Sequence, residues 1–135
     1  MKRRLTQTVS ALALVAALAA CGVSLPTQSC TSGTVSRLYL GKDTPSGPVT
    51  EAQWQGFVAD TVTSQFPDGF TVLSAKGQWR DDTGKVQQED TRVIEVVHDN
   101  LPATQARVRA VAHAYKRIFS QQSVLVSQSP SFQCF

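Results

Sequence analysis

Three side chains could act together. In the alternating stretch from Val35 to Leu40, Arg37 and Tyr39 share one side of an extended chain, and Glu95 takes the matching side of Arg92–Val97. A guanidinium, a phenol and a carboxylate on paired strands can grip a carboxylate or polarise a carbonyl, as a small-ligand site or a cofactor-free enzyme would. The same groups also make an ordinary cross-strand ion pair, contributing about 0.2–1 kcal/mol. Other constellations offer less. Asp68, Asp81 and Asp82 lack the alternate spacing of a calcium loop, and their plain reading is turn chemistry. His98 and His113 are isolated from each other and from any cysteine cluster, so no transition-metal site is expected. There is no phosphate loop, dinucleotide fingerprint or nucleophile elbow, so no cofactor is expected. Trp79 could stack a ring, although an aromatic residue beside a hairpin more often belongs to a core.

The charge balance restricts the partners. Of 13 basic residues, Lys2, Arg3 and Arg4 open the chain, which leaves ten against ten acidic ones. The remainder is near neutral, and no nucleic-acid partner is expected. Arg107, Arg109, Lys116 and Arg117 make one helix face basic, either a solvated face or a contact for anionic lipid or glycan.

The first residues specify a compartment. Lys2-Arg3-Arg4 precede an apolar run from Ala11 to Ala20. A helix of that length spans about 15 Å, half of the roughly 30 Å hydrocarbon core of a bilayer, so the run fits a secretory signal better than a membrane span. It ends in Leu18-Ala19-Ala20-Cys21. This order resembles the bacterial lipobox, which implies a signal peptide over 1–20, acylation (palmitate included) of Cys21 and a lipidated tether over 21–34. Acyl chains contribute about 0.8 kcal/mol per buried methylene, and two or more anchor stably. Gly22 in place of the aspartate common after an inner-membrane anchor points to the outer membrane, with the domain facing the periplasm. An unacylated secreted form cleaved after Ala20 is the alternative.

Cys30 and Cys134 lie near opposite ends of the mature chain, without CxxC spacing. In an oxidising compartment they are expected to form a structural disulfide.

These residues need elements to place them. Val35–Leu40 reads as a strand and Gly41–Pro48 as a loop. Thr50 caps a helix with Gln53 as capping-box partner, Val49 and Trp54 form a hydrophobic staple, and Phe57, Val58, Thr61, Val62 and Phe66 continue the stripe. Pro67-Asp68-Gly69 ends it. Phe70–Arg80 and Thr91–His98 read as strands joined by a turn at Gly84; the second has four β-branched residues among the six of Arg92–Val97. Pro102 opens a second helix, capped by Asp99 or Asn100, with a stripe of Leu101, Val108, Val111, Ala112, Tyr115 and Phe119. Ser123–Ser127 reads as the last strand. The order β-α-β-β-α-β predicts an α+β, ferredoxin-like domain over 35–135, a four-stranded antiparallel sheet with two helices on one face. The last strand then lies beside the first and brings Cys134 towards Cys30. Leu38, Leu40, Ile94, Val96, Val124 and Val126 face the helices. Arg37, Tyr39, Val93, Glu95, Val97 and Leu125 take the open face, joined by Gln78 and Arg80 or by Trp79 according to register. The apolar members of that face suit a homodimer through the open sheet.

Phe66-Pro67-Asp68-Gly69-Phe70-Thr71-Val72, Gly77-Gln78-Trp79, Tyr115-Lys116-Arg117-Ile118-Phe119 and Gln122-Ser123-Val124-Leu125 form a pattern that resembles an uncharacterised family of small secreted bacterial proteins and lipoproteins. The resemblance covers about 36–126 and implies no catalytic residues. The chain therefore reads as a periplasm-facing lipoprotein with a non-enzymatic binding or envelope-accessory domain. The alternative is a small-molecule binder or cofactor-free enzyme at Arg37, Tyr39 and Glu95. The intact mass of the native protein should correspond to a chain beginning at acylated Cys21; recovery with Met1 retained and no acyl mass would refute the anchor.

Overall fold

The computed structural model describes residues 28–134, so the signal peptide over 1–20 and Cys21 lie outside it. Strand β1 (Cys30–Gly41) is followed by helix α1, which opens as Glu51–Phe57, loosens into a π-helical stretch over Val58–Val62 and closes with one α turn at Thr63–Gln65. Strands β2 (Thr71–Arg80) and β3 (Val86–His98), helix α2 (Pro102–Ile118) and strand β4 (Leu125–Cys134) complete the domain. The sheet order is β2-β3-β1-β4 and every pairing is antiparallel. This is the expected ferredoxin-like α+β arrangement, with both helices on one face of the sheet.

Leu38, Leu40, Ile94 and Val96 from the two central strands bury against Trp54, Phe57 and Val62 of α1 and Val108, Val111 and Tyr115 of α2. The capping box is present: Thr50 Oγ1 accepts from Gln53 N, and Gln53 Oε1 accepts from Thr50 N at 2.9 Å. Helix α2 departs from expectation. Leu101 occupies its N-cap with no side-chain bond, while Asp99 reaches the Leu101 N–H at 3.2 Å from outside.

Three strands are longer than expected. β1 begins at Cys30, so the last part of the stretch assigned to a tether over 21–34 is strand. β4 continues to Cys134 through Pro130, which an edge strand tolerates because one row of its backbone groups faces outward. Both extensions have one cause. Thr31–Tyr39 pairs residue by residue with Gln133–Leu125, and at the end of that ladder Cys30 faces Cys134, bonded to it by a disulfide across 104 residues of sequence. Polar residues such as Ser32, Ser129 and Ser131 give no alternation, and the crosslink rather than burial keeps them paired. β3 begins at Val86 because the hairpin with β2 closes tightly at Gly84, whose φ is 83°.

A loop of this length gives the disulfide about 4 kcal/mol in the chain-entropy treatment, commonly less. Cys30→Ala with Cys134→Ala should therefore lower the thermal midpoint by roughly 10–20 °C, with the earliest loss of hydrogen-exchange protection in 30–34 and 129–134. An unchanged midpoint would show that the ladder holds without the crosslink.

Candidate functional site

The register decides what the open face presents. Arg37 stands opposite Glu95, and Tyr39 opposite Val93 on one side and Leu125 on the other. Arg37 Nε donates to Glu95 Oε2 at 2.6 Å, with both side chains half-buried. Arg37 and Glu95 thus satisfy each other, and neither lines the cleft that Tyr39 enters; the plain ion-pair reading holds for them. Tyr39 does not join the pair. Two residues further along the same face of β1, it lines an open cleft of about 660 Å³.

That cleft is where the sheet outruns β1. β1 ends at Gly41, opposite Thr91, whereas the β2–β3 hairpin continues to Arg80 and Val86. Tyr39 and Trp79 stand at its sides, Glu89 lies on its floor, and Asp43–Pro45 with Ser120–Ser123 form its rim. Gln121 Nε2 donates to the Asp43 carbonyl at 2.6 Å and ties the two rim segments together. Trp79 pairs with Gln87, which places its ring on the open face, 44% exposed. It is therefore not a core residue.

Glu89 lies over a glycine at the end of β1. A Cβ at Gly41 would run into its carboxylate, which rests where a side chain would otherwise stand. Gly77 is directly opposite Glu89 on β2, and a Cβ there would crowd Thr91 Oγ1 at 2.9 Å while meeting Glu89 only at ordinary van der Waals distance. Burial raises the Glu89 carboxyl above its ordinary pKa, and the charge of Asp43 adds to the rise. The Asp43 backbone N–H, which hydrogen-bonds the ionised form, offsets part of it. Below the floor, Tyr115 donates its hydroxyl to the Gly41 carbonyl at 2.9 Å. Burial pushes the Tyr115 phenol well above its usual range, with the Glu89 charge acting in the same direction. The cleft therefore holds two carboxylates, Asp43 and Glu89, against one ammonium, Lys76, itself paired with Asp90 at 2.5 Å.

Glu89 was missed in the sequence because the stretch between the turn and Thr91 shows no apolar pattern. The usable signal was a glycine on each of the two strands that flank β3, which marks close approach of another group. A second polar cluster lies on the helix side of the sheet. Ser36 Oγ is 2.8 Å from His98 Nε2 and accepts from Gln128 Nε2 at 2.7 Å, while His98 Nδ1 meets the Asp99 carbonyl. Ser36 is fully buried, which denies its hydroxyl a substrate. Asp81 serves the hairpin: it accepts from Thr83, Lys85 and Gln87, and these bonds lower its carboxyl pKa to about 2. Among the described residues no group of acidic, histidine or cysteine side chains could hold a metal ion.

Glu89 has a testable signature. With a raised folded-state pKa, the native protein retains a proton that the unfolded chain releases, so stability falls as pH rises from about 4.5 through the raised value. Glu89→Gln keeps the shape and removes the charge. It should melt at a higher temperature than the parent at pH about 8, with the difference closing at pH about 4. A variant that melts lower at alkaline pH would contradict this placement.

Comparison with known proteins puts this geometry in context. The family model for "protein of unknown function (DUF3574)" matches residues 35–135, and the chain belongs to that family. No curated protein matches it. Among solved structures it is similar to a phage SAM lyase in complex with S-methyl-5′-thioadenosine, with a TM-score of 0.58 and 16% identity over 76% of this chain and 88% of that one. It is likewise similar to a phage SAM lyase in the apo state, with a TM-score of 0.55 and 17% identity over 77% of this chain and 89% of the other. At such identity the likeness establishes the fold. It nevertheless overturns the expectation of a non-enzymatic binding or envelope-accessory domain, because the similar structures are those of an enzyme.

Proposed function

We propose that this family member binds a cationic sulfonium nucleoside of the S-adenosylmethionine type in the cleft at the end of β1 and acts on it as a lyase. The observation that carries the reading is the half-buried Glu89 carboxylate, desolvated on the floor of a cleft walled by Tyr39 and Trp79. Each group suits one part of such a ligand. The exposed face of Trp79, with Tyr39 across the cleft, offers a surface on which a purine can stack. Asp43 and Glu89 outnumber the one ammonium at the rim, which favours a cation. The volume of about 660 Å³ lies within the usual range for small-ligand sites. The shared fold with a SAM lyase supports the substrate class.

The chemistry follows from the sulfonium. Its sulfur is a leaving group that departs as a neutral thioether. In an elimination Glu89 takes a proton from the carbon next to the breaking C–S bond, the C–H electron pair becomes a C=C bond, and the C–S pair remains on sulfur. A base with a raised pKa is better matched to this step at neutral pH than an ordinary carboxylate. The reaction requires no further cofactor.

The protein is further proposed to work outside the cytoplasm, anchored through acylated Cys21 and facing the periplasm, more specifically at the outer membrane. A second copy over the open face would cover Leu73, Val97 and Leu125, which are exposed there.

Trp54 is buried in the core and Trp79 lines the cleft, so a ligand in the cleft can touch Trp79 alone. S-methyl-5′-thioadenosine should quench the emission saturably, Trp79→Phe should abolish the quench, and S-adenosylmethionine should be converted to S-methyl-5′-thioadenosine. Glu89→Gln should still bind and should turn over at least about a hundredfold more slowly. Absence of both quenching and turnover in the parent protein would overturn the reading.

A further inference from the structure

Beyond Lys2, Arg3 and Arg4 the charges balance, and that balance conceals a separation. All ten acidic side chains precede Leu101; from there onward the chain carries Arg107, Arg109, Lys116 and Arg117 and no acidic side chain. The fold preserves the separation, because α2 and β4 flank one cleft of about 420 Å³ on the helix side of the sheet. Its floor is apolar: Val108 and Ala112 are buried, and Val124 and Val126 pack against the core beside them. Arg109, His113 and Lys116 recur at i, i+4 and i+7, so they rise along one wall. At one end Gln128 donates to the Gln105 side-chain oxygen at 2.7 Å. No lining residue is acidic, and among the described residues none of Arg109, His113 and Lys116 takes part in an ion pair.

Arg109 and Lys116 put two cations on one side of α2 within about two helical turns, and the usual relief is a carboxylate at i±4. Here that relief is missing while an apolar trough lies alongside. We propose that the cleft binds a small anionic amphiphile, with its carboxylate or phosphate head against Arg109 and Lys116 and its alkyl chain along Val108, Ala112, Val124 and Val126. Charge complementarity selects the head. The apolar floor selects the tail, since a head alone would exchange good hydration for exposed cations and gain little. Gln105 and Gln128 bound the chain at the far end. This site goes beyond the lyase reading and uses neither Trp79 nor Glu89.

The test titrates the purified full chain with octanoate, octyl phosphate, octanol and acetate and follows backbone amide shifts by NMR. At least one of the two acids should bind ten or more times tighter than octanol and acetate, with shifts confined to α2 and β4, and the tighter acid identifies the head group. Arg109→Gln with Lys116→Gln alters only the wall, leaves the buried floor intact and should abolish that tenfold preference; Glu89→Gln should leave it unchanged. Equal binding of octanol and both acids, a preference that survives the double substitution, or shifts that map elsewhere would each overturn the proposal.

Discussion

The hydrogen bond from Tyr115 to the Gly41 carbonyl joins the two halves of this protein. Tyr115 is fully buried, and its ring meets Phe57 edge-on at 5.1 Å and Phe119 at 4.7 Å between centroids. Those rings tie α1 and α2 to each other, while the hydroxyl satisfies the last residue of β1 from beneath. On the other side of that residue lies the Glu89 carboxylate. The helical core and the cleft therefore share one backbone position, where the missing side chain leaves room for the Glu89 carboxylate and the carbonyl accepts the bond from the core. A half-buried carboxylate with a raised pKa costs stability, as functional groups commonly do. Its support is rigid on both sides: β2 and β3 pair across it, and the aromatic cluster holds Gly41 below.

The helices cover one face of the sheet and leave the other open, with polar residues beside exposed Leu73, Trp79, Val97 and Leu125. This asymmetry explains why Arg37, Glu95, Tyr39 and Trp79 all emerge on the same side yet do not form one site. Alternation sets only the face. Position along the strand sets the neighbours, and Arg37 and Glu95 sit mid-sheet, where a directly opposed partner neutralises each. Tyr39 and Trp79 sit where β1 stops and the hairpin continues. A sheet that ends unevenly leaves a step, and the step becomes a cleft once the segments at 43–45 and 120–123 wall it.

Charge is segregated along the chain as well. The stretch before Leu101 holds every acidic side chain and supplies Asp43 and Glu89 to the cleft, and the basic C-terminal quarter supplies α2 and β4. A domain whose charges balance beyond Lys2, Arg3 and Arg4 can therefore carry an acidic cleft on one face and a basic one on the other.

From residue types and spacing alone, the pairing of Cys30 with Cys134 could be read because the element order sets the first strand beside the last, and the element order, the capping box and the buried stripes apart from the exposed Leu101 could be read because each is a local or periodic signal. The face assigned to Arg37, Tyr39 and Glu95 was legible for the same reason. The extended ends of β1 and β4 were not, since their serines and glutamines carry no periodic pattern and are paired only because the crosslink aligns them. Nor was Glu89, which became a candidate only when folding brought Gly41 and Gly77 around it. Whether a carboxylate is solvated or enclosed depends on which backbones approach it from distant parts of the chain, and that is a property of register rather than of composition.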